Sequence, residues 1–444
     1  MSLTASVGLI AVFAVDFIDM IFISMLGNEA LAAAIGYAGA ILFFTSSFGI
    51  GMAIAAGAVV ARSLGEGDAQ LAKHKATNAL IYGVVFGAIF ALVVWLNLRT
   101  LAELMGAKGE TLDLAVSYLQ IIVPSLPMLI VGMMGGAILR AHGDASRAMM
   151  ATIYGSIVNG VLDPILIFGL DLELTGAAWA SVAARVTIGM TALLPIIRHH
   201  GGFERPSFNS LSQDYGSILA IAFPAILTQL ATPVGQAFVT RSMAQFGEDA
   251  VAGMAIVGRL TPIAFGVIFA LSGAVGPIIG QNFGAKLNQR VATAFRDALI
   301  FVALYIVVVS GLLFLLRGLI ADLFLAEGIT LELVYLFCGP LALMFFFNGV
   351  MFVANAAFNN LGHPFYSTIM NWGRQTLGTL PFILVGAEYL GAAGILIGQS
   401  VGGVVFAVVA FLLARRVISD GGREAQKDPF ARQSRLMALL HLRR

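Results

Sequence analysis

Charged side chains are scarce in this 444-residue sequence: Asp, Glu, Lys and Arg make up 11% of it, against about 25% in ordinary soluble domains. Hydrophobic residues make up 59%. Apolar runs of about 20 residues, the length that a helix needs to cross a bilayer, recur along nearly the whole chain. Strand-like segments of alternating polarity are missing, which excludes a transmembrane barrel. The sequence therefore predicts an all-α polytopic membrane protein.

Other residues and motifs that the sequence lacks exclude several classes of function. A single cysteine, Cys338, excludes an internal disulfide, and the net charge of +1 gives no sign of a nucleic-acid partner. The sequence lacks a glycine-rich phosphate loop followed by Lys and Ser or Thr, so ATP is not the expected energy source. All six histidines fall in predicted loops or in the tail, so we expect neither a metal site nor a bound cofactor. The "GQSVG" motif around Ser400 matches a hydrolase pattern, but it lies inside an apolar run, and a membrane-embedded hydrolase is therefore the weaker alternative.

The apolar runs predict twelve transmembrane helices, and the distribution of Lys and Arg between the loops predicts their orientation. If both termini are cytoplasmic, 18 of the 25 Lys and Arg residues fall in inner loops or the tail, and only four fall in outer loops. This bias predicts cytoplasmic termini and a multi-pass inner-membrane protein. The remaining three lie within spans: Arg185, Arg259 and Arg374. The predicted spans are 4–25, 32–61, 77–98, 115–139, 148–170, 175–197, 216–243, 250–280, 293–316, 333–357, 365–386 and 391–414.

The two halves of the chain repeat each other. Four short matches recur at offsets of 220, 219, 219 and 215 residues, and they align Gly27 with Gly247, Gly65 with Gly284, Gly143 with Gly362 and Gly176 with Gly391. Because each half has an even number of spans, both enter the membrane in the same direction. We expect two parallel six-helix lobes. The predicted units are a first lobe at 1–200, a cytoplasmic linker at 201–215, a second lobe at 216–414 and a basic cytoplasmic tail at 415–444.

Three carboxylates stand out because they alone lie well inside predicted spans: Asp16, Asp19 and Asp163. An ionised acid near the bilayer centre costs about 2.5 to 3.5 kcal/mol on insertion scales, so such residues usually mark ion pathways. Asp16 and Asp19 share one helical face, and Asn159 shares a face with Asp163. We predict that these four residues form an ion-coupling site. The coupling ion is a proton or, alternatively, sodium, because carboxylate and amide oxygens also bind hard cations.

A substrate cleft is predicted from polar residues inside otherwise apolar spans. Arg185, in the sixth span, is included as a cleft residue and as a candidate partner for one of the acids, with snorkelling toward water as the competing interpretation. The other candidates belong to the second lobe: Gln229, Thr232, Gln236, Asn348 and Asn355.

Several motifs in order resemble the multidrug and toxic compound extrusion (MATE) family over about residues 1–415: "VDFIDMIFISMLGNEALAA", "ARSLGEGD", "LRAHGD", "NGVLDPILIFGL" and "LTGAAWAS". The resemblance implies an antiporter that exports drug-like or toxic organic compounds, often cationic, in exchange for protons. In the DinF-like branch of that family, the first-helix Asp and the fifth-helix Asn and Asp form a proton-sensitive site. Asp19, Asn159 and Asp163 match these positions, and Asp16 is additional.

Alternatives within transport are a sodium-coupled exporter of the same family and a related lipid or oligosaccharide flippase. A flippase is expected to have a more cationic cleft, and intramembrane Arg and Lys are few here. The expected partners are small organic substrates and the lipid bilayer, and the expected oligomeric state is a monomer.

Overall fold

A computed structural model describes residues 7, 8, 11, 12, 15, 22 and 29–422 of the chain. The first predicted span therefore lies outside the described residues, except for six residues that are each helical. No strand occurs among the residues described, so the all-α prediction is confirmed.

Fourteen α-helices follow one another in the part of the chain from Glu29 onward. They are α1 (Glu29–Gly65), α2 (Ala69–Leu96), α3 (Leu98–Leu104), α4 (Gly109–Ile122), α5 (Leu126–Ala141), α6 (Ala145–Pro164), α7 (Glu173–His199), α8 (Phe208–Met243), α9 (Glu248–Gly284), α10 (Asn288–Leu323), α11 (Gly328–Leu336), α12 (Ala342–Asn360), α13 (Pro364–Gln375) and α14 (Leu380–Ser419).

Ten stretches of these described helices are long and apolar enough to span a membrane. Three of them change their winding at a proline: a 3₁₀ turn at Pro124 joins α4 to α5, a π turn at Pro340 joins α11 to α12, and a π segment follows Pro164 at the end of α6. Proline removes a backbone donor, so a helix that continues past it must bend or change its winding.

The last stretch, Pro364–Ser419, contains 56 residues and crosses the membrane twice. Gly391 has φ +59° and ψ −142°, a backbone conformation that reverses the chain and that favours glycine. The chain segments before and after this turn are in close contact. A Cβ on Gly394 would overlap the backbone of Gly386, one on Gly398 that of Phe382, and one on Gly402 that of Gly378. These contacts pair residues at equal distances from the turn, as an antiparallel hairpin requires. Small residues let the two backbones touch, and the hairpin agrees with two spans in this stretch, as the sequence predicts.

Two clusters of buried apolar side chains form the core. One extends from Leu31 to Ala222 and the other from Val239 to Ile418. The chain has the two-lobe fold that the sequence predicts, with a separate core in each lobe.

Helix α8 links the two lobes and contributes to both cores. Its first half places Ile218 and Ala222 in the first core, and its second half places Val239 and Met243 in the second. Between them, Pro224 and Pro233 interrupt the backbone hydrogen bonds of the helix. The exact lobe boundary at 216 stays a prediction, but the apolar contacts of α8 pass from the first core to the second between Ile226 and Val239.

Polar contacts hold the start of α8 against α2 of the first lobe. Asp214 is buried, and it receives a hydrogen bond of 2.7 Å from the Asn78 side-chain nitrogen and pairs with Lys75. The backbone of Glu204 donates to the Thr77 hydroxyl at 2.9 Å. Ser207 caps α8, so the helix begins eight residues before the predicted span and the connection between helices is shorter than 201–215.

The lobes meet where α1 and α9 end. A Cβ on Gly65 would overlap the carbonyl oxygen of Gln281, and a Cβ on Gly284 would overlap that of Arg62. Gly65 and Gly284 are 219 positions apart, and so are Arg62 and Gln281. The predicted internal repeat therefore maps one contact onto the other. Another aligned pair, Gly143 and Gly362, shares a φ of +83° and +81°. The contact between α1 and α9 at Gly65 and Gly284 closes the side of the molecule that the positive-inside rule predicts as cytoplasmic.

Candidate ion-coupling site and substrate cleft

Asn159 and Asp163 lie one turn apart near the end of α6 and contact each other. The Asn159 side-chain nitrogen donates to Oδ2 of Asp163 at 2.8 Å, and both side chains are buried, with Asp163 fully shielded from solvent. The structure thus brings together two of the four predicted coupling residues. A carboxylate enclosed in this way inside a membrane protein is a strong candidate for ion binding.

The helix changes its winding directly after this pair. Pro164 lacks the amide that would bond to the carbonyl of Gly160, and the next residues, Ile165–Gly169, form a π segment. Single π turns inside α-helices are frequent at functional sites. Pro164 therefore deprives the Gly160 carbonyl, beside Asp163, of its usual helical amide donor.

Asp16 and Asp19 lie outside the described residues. The described residues around them do contact α6. Gly8 packs against Met149 and Thr152, and the ring of Phe22 meets that of Phe168 edge to face, with centroids 5.9 Å apart. The Gly8 contact with α6 precedes the Asn159–Asp163 pair along the chain, and the Phe22 contact follows it, in the π segment after α6.

Arg185 contacts the break between α4 and α5. Its Nη1 donates to the carbonyl oxygen of Ile122 at 2.9 Å and to the Ser125 hydroxyl at 3.0 Å. No carboxylate among the described residues lies within ion-pair distance of it. Because Pro124 and its 3₁₀ turn leave carbonyls without helical partners, Arg185 stabilises the broken helix.

Replacing Arg185 with Ala should lower the free energy of unfolding by about 2 kcal/mol, since two hydrogen bonds from a charged group are lost. Thermal unfolding of purified protein in detergent checks this. Arg259→Ala is the matched control, because Arg259 is also a span arginine but is exposed. An unchanged melting temperature together with lost transport would instead support pairing between Arg185 and a coupling acid.

The predicted cleft residues of the second lobe lie on α8 and α12. On α8, Gln229 and Thr232 are half-buried and Gln236 is exposed. On α12, Asn348 is half-buried and Asn355 is buried, and both face α13.

A row of polar contacts, here called the amide seam, joins α12 to α13. The Asn371 side-chain nitrogen donates to Oδ1 of Asn355 at 3.1 Å, and the Ser367 hydroxyl donates to Oδ1 of Asn359 at 3.2 Å. At the end of the seam, Nη1 of Arg374 donates to Oδ1 of Asn348. Arg374 had no predicted role, and its position inside a predicted span was the signal in the sequence.

Helix α13 is also fixed to α8. The Trp372 indole nitrogen donates to the carbonyl of Leu227 at 2.9 Å, and the Thr368 hydroxyl donates to that of Pro224 at 2.8 Å. The amide seam therefore lies next to the part of α8 that carries Gln229 and Thr232. Among the residues that the structure describes, no group of His, Cys, Asp and Glu could hold a metal ion.

Comparison with known proteins places the chain among transporters. The family model described as MatE matches residues 5–165 and 224–385. A protein of Shewanella oneidensis named "FAD transporter" is 28% identical over 424 residues, which cover 94% of this chain and 93% of that protein. The "Multidrug export protein MepA" of Staphylococcus aureus is 23% identical over 429 residues, 94% of each chain.

Solved structures agree with this result. A mutant of the Vibrio cholerae MATE transporter VcmN superimposes with a TM-score of 0.90 at 25% identity, covering 95% of this chain and 96% of that one. An outward-facing multidrug resistance MATE family transporter of the MOP superfamily gives a TM-score of 0.87 at 25% identity, covering 95% of both chains.

Proposed function

The chain belongs to the MatE family of membrane transporters, and we propose that it exports small organic compounds in exchange for protons. As a member of this family it is a multi-pass transporter and not an enzyme. Ser400, the residue of the hydrolase-like motif, lies within helix α14, where its hydroxyl donates to the carbonyl of Leu396 at 2.9 Å.

The observation that carries the proton proposal is the buried hydrogen bond between Asn159 and Asp163. A carboxyl group in this setting is stable when it is protonated. When it is ionised, it needs a cation or a hydrogen-bond donor nearby. Protonation and release therefore change what α6 can pack against. The Pro164 break next to it gives the helix a place to adjust.

In this proposal, Asp19 and Asp16 of the first helix complete the site. The contact of Gly8 with α6 before Asp163, and that of Phe22 with the π segment after it, support this proposal. Protonation from outside would let the first helix and α6 rearrange, and the two lobes would then rock about the contact at Gly65 and Gly284 to release substrate.

The remaining parts of the proposal concern setting and partners. We place the protein in the inner membrane with both termini inside, as a monomer surrounded by lipid, with no nucleic-acid partner. The positive-inside bias of the loops supports the orientation.

Two substrate classes are proposed. The first is drug-like compounds, often cationic, as for the relative named as a multidrug export protein. The second is phosphate-bearing compounds, since another relative is named as an FAD transporter and since Arg374 provides a cation inside the second lobe.

Everted vesicles test the coupling. Efflux of ethidium, a cation, and of norfloxacin, which has both a carboxylate and an ammonium group, is driven by an imposed pH gradient with and without sodium. We expect transport without sodium. A strict sodium requirement would overturn proton coupling and favour the sodium-coupled alternative at the same acids.

A further inference from the structure

Arg374 is a positive charge inside the second lobe that protein groups satisfy only in part. It lies in the last turn of α13 and is half-buried. Nη1 donates to Asn348, whereas Nε is buried without a hydrogen-bond partner. A guanidinium group has five N–H donors in a planar fork, so most of its capacity to bind an anion is unused.

Negative charge is lacking around it. Within the described chain, no carboxylate lies within ion-pair distance of Arg374. No acid lies well inside a predicted span of the second lobe either. A buried charge without a counter-charge costs several kcal/mol, and such residues within membranes usually serve a ligand or an ion pathway.

Arg185 provides an internal comparison. It is also half-buried in a span, but it binds a carbonyl and a hydroxyl that a broken helix leaves available. Its contacts therefore account for it structurally. Arg374 instead contacts the side-chain amide of Asn348. That amide does not need an arginine as its partner, so this contact does not explain why an arginine is present.

The neighbouring amides add donors. Because Oδ1 of Asn348 accepts from Arg374, the amide nitrogen of Asn348 is left to donate. In the same way, Oδ1 of Asn355 accepts from Asn371, which leaves the nitrogen of Asn355 as a donor. A guanidinium group beside amide donors, without carboxylates, suits a phosphate group, which Arg can bind through two parallel hydrogen bonds.

We propose that Arg374 and Asn348 bind the phosphate group of a phosphorylated organic substrate in the second lobe. This inference rests on the proposed export function and specifies one of its substrate classes. Both side chains are half-buried and so partly accessible, and the Trp372 contact with Leu227 places α13 next to the stretch of α8 that carries Gln229 and Thr232, where the organic part of such a substrate would bind.

Flavin mononucleotide and riboflavin form a matched pair of probes, since they differ only in the phosphate and both are fluorescent. Purified protein in neutral phosphatidylcholine nanodiscs should bind flavin mononucleotide at least about tenfold more tightly than riboflavin, the gain expected of charge-assisted hydrogen bonds. Arg374→Gln should remove this difference and leave riboflavin binding unchanged. Arg374→Lys should retain part of it.

Controls separate this result from misfolding and from failure of the export proposal. Arg259→Gln, at an exposed span arginine, should keep the preference. If Arg374→Gln does not fold, Asn348→Leu serves as the second variant and should weaken flavin mononucleotide binding more than riboflavin binding. Binding is measured without transport, so a failed pH-driven efflux assay would count against proton coupling and leave the phosphate site standing.

Three outcomes would overturn the proposal. In the first, the wild type binds both flavins equally. In the second, Arg374→Gln keeps the preference for the phosphorylated flavin. In the third, phosphatidylglycerol added to the nanodiscs displaces flavin mononucleotide from the wild type, which would assign the site to a lipid headgroup.

Discussion

Asp163→Asn is expected to reduce pH-driven efflux to the level of vesicles without the protein. The amide has the size of the carboxyl group and can still accept the hydrogen bond from Asn159, but it cannot bind or release a proton. The variant should therefore fold and bind substrate while losing coupling. Efflux in everted vesicles, with expression and melting temperature measured alongside, checks this.

Glu388→Gln is the matched control, because it removes a carboxylate from an exposed position and should transport normally. Asn159→Ala should have an intermediate effect, since it leaves the Asp163 carboxyl without one of its hydrogen bonds. If Asp163→Asn keeps full pH-driven transport, Asp163 is a structural residue and the coupling proposal is wrong.

Gly65→Val is expected to abolish transport by keeping the lobes apart on the predicted cytoplasmic side. A side chain at Gly65 would overlap the backbone of Gln281, which cannot move aside as a flexible side chain could. Overpacking of this kind costs roughly 1 to 3 kcal/mol, enough to shift an equilibrium between two conformations by about 5-fold to 150-fold. Gly284→Val should have the same effect, because its contact with Arg62 is the symmetry-related one.

Spin labels on Glu66 and Gln289, both exposed, measure this opening in a Cys338→Ser background that removes the single native cysteine. Gly65→Val should add a longer distance to the distribution. Gly36→Val is the control on the same helix, since a side chain at Gly36 meets no atom of the residues that the structure describes within 4 Å. An unchanged distance distribution with normal transport would show that this contact does not limit the transport cycle.

Much of the fold could be predicted from the sequence because the bilayer imposes it. Each crossing needs about 20 apolar residues, so the runs themselves mark the helices. The internal repeat then predicted which glycines correspond, and the reciprocal contacts of Gly65 and Gly284 follow from that symmetry. The Asn159–Asp163 contact was predictable because both lie on one face of a single helix.

Contacts between helices were harder to predict. The sequence offered an acidic partner or snorkelling toward water for Arg185, and it did not predict the described contacts with the Ile122 carbonyl and Ser125, which depend on how α7 rotates against the α4–α5 break. The pairing of Arg374 with Asn348 likewise depends on the register of α13 against α12. Helical periodicity defines faces within a helix, but it does not say which faces of two helices meet. The same limit applies to α8, whose apolar contacts pass from the first core to the second between Ile226 and Val239.

Substrate-induced proton release tests proton coupling at Asp163 most directly. Norfloxacin is added to purified, sodium-free protein in weakly buffered detergent, and the pH change is recorded with a dye. The account predicts release of protons from the wild type, and from Glu388→Gln, but none from Asp163→Asn. Equal proton release from Asp163→Asn and wild type would contradict the assignment of Asp163 as the coupling residue.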